Sequence, residues 1–113
     1  MSQYNIKISI IIPCFNEKNT LIELINKVVL SLNNYKYKNY EIIIVDDGSI
    51  DGTKELVKKH LESKKNFKTF FHVKNMGKGA AIKTAKKLLS GDVIIIQDAD
   101  LEYNPDDYDN LIK

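Results

Sequence analysis

The chain has 113 residues, 43% hydrophobic and 28% charged, with a formal net charge of +2, the make-up of a single globular domain rather than a disordered or membrane-spanning one. All 17 basic residues are lysine, so the bidentate reader of bases and phosphates is missing and nucleic acid is not expected as a partner. No apolar run approaches the roughly 20 residues of a spanning helix, no signal-peptide pattern precedes Ile8, and a lone cysteine, Cys14, excludes an internal disulfide and fits a reducing, cytoplasmic setting.

Ile8 to Ile12 reads as an apolar strand stopped by Pro13. Leu21, Ile22, Leu24, Ile25, Val28, Val29 and Leu32 then recur at helical spacing, with Thr20 and Glu23 offering a capping box. Asn33 to Asn39 is a polar connection. Ile42 to Val45 forms a second buried strand, ended by Asp46-Asp47-Gly48-Ser49. Asp51 is placed to cap a helix whose inner face is Leu56, Val57, His60 and Leu61, while Lys54, Lys58, Lys59, Lys64 and Lys65 form its solvated face. His60 is therefore expected in the core. A weaker third strand covers Lys68 to Val73 and leaves His72 near a strand end, within reach of a ligand. Gly77 to Gly79 opens a helix on Ala80, Ala81, Ala85, Leu88 and Leu89, which Gly91 closes; Gly77 and Gly79 are read as serving tight turning and close packing. Val93 to Ile96 is the fourth strand. Asn104-Pro105 with Asp106 and Asp107 has the cap, proline and acidic first turn of a further helix.

Fully apolar strands alternating with amphipathic helices predict an α/β fold: a Rossmann-like parallel sheet with helices on both faces. Ligands of such sheets bind beyond the carboxyl ends of the strands. The polar clusters Pro13–Glu17, Asp46–Ser49, Asn75–Gly79 and Asp98–Glu102 all fall at that rim. Asp98-Ala99-Asp100 follows the most apolar run of the chain, and an extended backbone would point both carboxylates to one side with Ala99 turned away. Two hard oxygen ligands there suit Mg2+ or Mn2+ holding a diphosphate; taken alone, the triplet is more often a turn in which Asp98 caps a following segment. Cys14 reads as a packing residue rather than a nucleophile, since no histidine lies near it in sequence.

In order, Ile10-Ile11-Ile12-Pro13-Cys14-Phe15-Asn16-Glu17, Ile44-Val45-Asp46-Asp47-Gly48-Ser49 with Asp51-Gly52-Thr53, Asn75-Met76-Gly77-Lys78-Gly79 and Gln97-Asp98-Ala99-Asp100 resemble the motifs of the family 2 glycosyltransferases with the GT-A fold. Leu101-Glu102-Tyr103-Asn104-Pro105 is similar to the branch that moves a sugar onto dolichyl or another polyprenyl phosphate. The resemblance runs from Ile8 to Tyr108 and implies the nucleotide-binding half of a GT-A fold, a nucleotide-sugar donor (UDP- or GDP-linked), a divalent metal and a lipid-phosphate or glycan acceptor. It implies that Pro13, Phe15 and Glu17 pack on base and ribose, that Asp47, with Asp46 beside it, accepts from ring N–H groups, that Asp98 and Ala99 lie against the nucleotide, and that Asp98, Asp100 and Glu102 hold the metal. Lys78 is read as a phosphate contact or as a solvated lysine at a helix start. Tyr103 and Tyr108 are candidates to pack beneath the metal loop.

Members of that family continue past this point with the segments that bind the acceptor and supply a base. The expectation is thus one nucleotide-sugar-binding domain over residues 1–113, truncated at its carboxyl end, cytoplasmic or peripheral at a cytosolic membrane face, with a fourth strand at an open sheet edge able to pair in a homodimer. Two other readings stand beside it. A non-catalytic nucleotide-binding module would keep the same donor site. A receiver-like signalling domain would need its acidic pair after the first strand, where Pro13-Cys14 stands instead.

Overall fold

The computed structural model describes residues 6–34 and 38–99. Strands and helices alternate: β1 (Ile8–Cys14), α1 (Leu21–Asn34), β2 (Tyr40–Asp46), α2 (Thr53–His60), β3 (Phe67–Phe71), α3 (Lys78–Lys86) and β4 (Val93–Ile96). The strands form one parallel sheet in the order β3-β2-β1-β4. Asn104–Pro105, Tyr103, Tyr108, Asp100 and Glu102 lie outside the described residues.

The isoleucine-rich β1 and β2 are buried on both faces because helices cover both. Ile8, Ile10, Ile12, Ile42 and Ile44 pack against Leu21, Leu24, Ile25, Val28 and Leu32 of α1 and Val57 of α2. On the opposite face Ile11, Ile43 and Val45 meet Ala81 and Ala85 of α3, with Leu88 and Leu89 at the margin. The small side chains of α3 let that helix lie close to the sheet. The α/β expectation with helices on both faces is what the chain forms.

Pro13 does not stop β1. The strand runs on to Cys14, with Pro13 opposite Val45 and Cys14 opposite Asp46. Ile11 accepts from the Gln97 N–H, so odd-numbered residues of β1 turn their backbone groups toward β4; pairing with β4 ends at Ile11 opposite Ile96. The N–H that proline lacks therefore falls where no strand waits for it. β4 is an edge strand, as expected, and its Ile94 and Ile96 are exposed.

Other local expectations change. Glu23 pairs with Lys27 one turn on, at 3.4 Å, and Thr20 donates its hydroxyl to Glu17 at 2.7 Å, in place of a Thr20–Glu23 capping box. His60 is exposed, not in the core, because α2 is short and ends there. Lys64 and Lys65 fall after α2. Lys54 and Lys58 are not simply solvated, since both ammonium groups lie over the Phe71 ring, at 5.8 and 5.4 Å from its centroid. Nothing would meet a Cβ at Gly79, so close packing is not its role. Gly91 lies beyond the end of α3 and passes against Ser9, where a Cβ would stand 2.3 Å from the hydroxyl.

Candidate functional site

β1, β2 and β3 follow one another outward on one side of the sheet, and β4 returns to the other side of β1. The order therefore reverses between β1 and β4, which is where a doubly wound sheet opens a crevice at its carboxyl end. A cavity of about 300 Å³ opens there, lined by Pro13, Cys14, Phe15 and Glu17 after β1, Asp47 after β2, Asn75, Gly77, Lys78 and Ala81 around the start of α3, and Asp98 and Ala99 after β4.

The rim loops are fastened to one another. Asn16 takes a left-handed φ of 54°, its N–H donating to the Ser49 hydroxyl at 2.8 Å and its side-chain oxygen accepting from the Ile50 N–H at 2.9 Å. Thr53 accepts from the Glu17 N–H at 3.0 Å and gives its hydroxyl to Asp51; Asp51 also takes the Thr53 N–H at 3.0 Å, the capping role expected of it, exercised from the residue before Gly52. Gly48, at φ 76°, lets the second loop pass under the third, since a Cβ would lie 2.4 Å from the Asn75 nitrogen.

Asp47 is the centre of this arrangement. Its Oδ1 accepts from the Met76 N–H at 2.9 Å and from His72 Nδ1 at 2.7 Å, and its Oδ2 from the Gly77 N–H at 2.8 Å. Burial pushes the carboxyl up, but His72 and the two N–H groups outweigh it and hold Asp47 below the usual carboxylate range. A carboxylate has about four acceptor directions, so one remains for a ligand. His72 does not line the cavity. Its Nδ1 faces an acceptor and carries the proton, and Nε2 meets the Thr84 hydroxyl at 2.8 Å, so His72 stands behind Asp47 and braces it against α3.

Asp46 is not brought to the cavity. It lies on the other face of β2, where it takes the Ser49 N–H at 3.2 Å and the Ser49 hydroxyl and so closes its own turn. Cys14 lies at 3.9 Å from Asp46; burial, reinforced by that carboxylate, drives the thiol well above its ordinary value, as befits a packing residue. Ala99 is not turned away on an extended backbone: the chain leaves β4 at Ile96 and turns at Ala99, which is buried and lines the cavity. Asp98 lines the cavity and forms an ion pair with Lys78. No group of three or more His, Cys, Asp or Glu able to hold a metal occurs among the described residues, and no described helix is long and apolar enough to cross a membrane. His72, expected within reach of a ligand, instead braces Asp47, and Thr84, Asn16 and Thr53 were missed as members of the site. The signal for Asn16 was its residue type, which tolerates a left-handed backbone; for the rest only the fold supplies it.

The family model described as glycosyl transferase family 2 matches residues 9–113. The chain belongs to glycosyl transferase family 2. Among curated relatives it is 38% identical over 107 residues to a dolichol-phosphate mannosyltransferase of Pyrococcus furiosus, covering 95% of this chain and 29% of that protein. It is 36% identical over 107 residues to an undecaprenyl-phosphate 4-deoxy-4-formamido-L-arabinose transferase of Salmonella choleraesuis, covering 94% and 32%. The family 2 chain thus spans less than a third of the length of these relatives. Solved structures that share its fold include S. aureus TarS 1-349 in complex with UDP-GlcNAc, with a TM-score of 0.74 and 28% identity over 93% of this chain and 30% of the other. The mannosyltransferase PcManGT of Pyrobaculum calidifontis in complex with GDP-Man and Mn2+ gives 0.74 and 25%, over 88% and 29%.

Proposed function

We propose that the cavity binds the nucleotide diphosphate of a sugar donor together with Mg2+ or Mn2+, as part of a glycosyltransferase that delivers the sugar to a polyprenyl phosphate. The observation that carries this reading is the convergence of Pro13, Phe15, Asp47, Lys78 and Asp98 on one cavity at the reversal of strand order.

The charge of the cavity lining favours a divalent cation. Glu17, Asp47 and Asp98 face the cavity against the single ammonium of Lys78 among the described lining residues, and an anionic crevice takes an anionic diphosphate only with added positive charge. Asp98 is the described carboxylate that would hold the ion, with Asp100 and Glu102 as further proposed ligands. The bound ion would supply charge neutralisation for the departing diphosphate. The residues of the chain do the rest. Phe15, exposed at the cavity edge, offers a flat apolar face to a base, and Pro13 and Ala81 form the apolar floor. Asp47 keeps one acceptor direction for a ring N–H. Lys78 reaches toward the phosphates from the first residue of α3.

Both a GDP-sugar and a UDP-sugar occur among the ligands of the structurally similar proteins, so the base remains to be read from this chain directly. Calorimetric titration with UDP and GDP, each with and without Mn2+, tests the site and names the base. Micromolar binding of one of them, lost without Mn2+, is expected; no binding of either with Mn2+ present refutes the reading.

A further inference from the structure

Lys78 and Asp98 form an ion pair of opposite charges, and both face the cavity. Asp98 is poorly exposed, its side chain at 13%, whereas Lys78 reaches it from solvent with 56% of its own side chain exposed. A half-buried carboxylate without a counter-charge is costly. The lysine, anchored at the start of α3 behind Gly77, meets that cost with a flexible stem that can move. An ammonium and a divalent ion on the same carboxylate repel one another at contact, which favours their separation.

We propose that Lys78 is an exchangeable counter-ion: its ammonium holds Asp98 when no divalent ion is bound, yields Asp98 to the ion, and swings to the diphosphate that arrives with it. This rests on the metal-and-diphosphate reading of the cavity and adds a specific two-position role for one side chain. The two positions have opposite effects. Lys78 competes with the metal when the metal comes alone, and it helps the metal–nucleotide pair when both come.

Removing the ammonium therefore has opposite signs in two measurements on the same protein. Mn2+ binding to the 113-residue chain is followed by the electron paramagnetic resonance signal of free Mn2+, and UDP or GDP binding at saturating Mn2+ by calorimetry. In Lys78→Met the affinity for Mn2+ alone rises about two- to five-fold, the range set by a partly exposed ion pair, while the affinity for the nucleotide with Mn2+ falls about ten-fold, as for a lost charge-assisted phosphate contact. Lys78→Arg restores the parent's affinity for Mn2+ alone because it restores the competing charge. Asp98→Asn loses Mn2+ binding in both backgrounds. Equal or weaker Mn2+ affinity in Lys78→Met, with the parent binding Mn2+, overturns the exchange and leaves the metal site standing. Failure of the parent to bind Mn2+ either alone or with nucleotide overturns both.

Discussion

Single residues decide whether the cavity exists, and Asp47 is the most heavily engaged of them. It is tied to three donors from the loop and strand beyond it, so its first duty is to hold the start of α3, whatever it also offers a base. Asp47→Ala is expected to lower stability by about 1–3 kcal/mol, the range for buried donors left unmade, and to speed hydrogen exchange at the amides of Met76 and Gly77. A variant with unchanged exchange at those two amides would show that the clamp does not act. Gly48 carries the same logic in its backbone. An added methyl meets the Lys74–Asn75 peptide at 2.4 Å in a left-handed conformation, so Gly48→Ala is expected to cost several kcal/mol, above the roughly 1 kcal/mol of a typical substitution. Chemical denaturation of the two proteins checks it, and a difference within about 0.5 kcal/mol, the size of a neutral surface change, would mean the loops separate freely.

At the scale of elements, a second polar cluster ties the opposite end of the sheet. Glu41 on β2 stands beside Ser9 on β1 in the strand register, accepts the Ser9 hydroxyl and the Ser90 N–H at 2.6 Å each, and pairs with Lys68 of β3 at 2.9 Å. Three strands and the α3–β4 connection thus meet on one carboxylate. Burial pushes that carboxyl up, but Ser9, Lys68 and Ser90 prevail and bring it from 4.5 down to about 2. A depressed folded pKa stabilises above the unfolded value and is lost as pH falls through the folded one, so this contribution, on the order of 3 kcal/mol, should fade between about pH 4.5 and 2. Denaturant midpoints measured across that window should fall more steeply for the parent than for Glu41→Gln, and parallel curves would refute the assignment. Nothing in Tyr40-Glu41 as a sequence announces this role, because it depends on register between distant strands. The apolar runs did announce the strands, and β4 is found at the residues expected, Val93–Ile96. Pro13 misled for the same reason that Glu41 was silent: whether a proline ends a strand depends on which neighbour its nitrogen faces.

For the whole molecule, four loops separated by tens of residues form one cavity because parallel strands send every carboxyl end to the same rim. That convergence was legible from the alternation of apolar runs and polar clusters, and so were Pro13, Phe15, Glu17, Asp47, Lys78, Asp98 and Ala99 as its lining. The bracing by His72 and Thr84 was not, since it needs α3 laid against the sheet. One consequence concerns stability as a unit. A ligand that bridges the β1, β2, α3 and β4 segments binds the folded chain alone, and at one hundred times its dissociation constant it stabilises by about 2.7 kcal/mol. For a chain of this size each kcal/mol raises the melting temperature by about 4–8 °C, so the preferred nucleotide with Mn2+ should raise it by roughly 10–20 °C. The other nucleotide, matched in phosphates but not in base, should give a smaller rise at the same concentration. Asp98→Asn should remove the Mn2+-dependent part while leaving the melting temperature without ligand within a few degrees of the parent, because that carboxylate is paired to the exposed Lys78 and not to the core. Equal shifts in Asp98→Asn and the parent would place the ion elsewhere, and equal shifts for both nucleotides would mean that the rim reads phosphate and metal without reading the base.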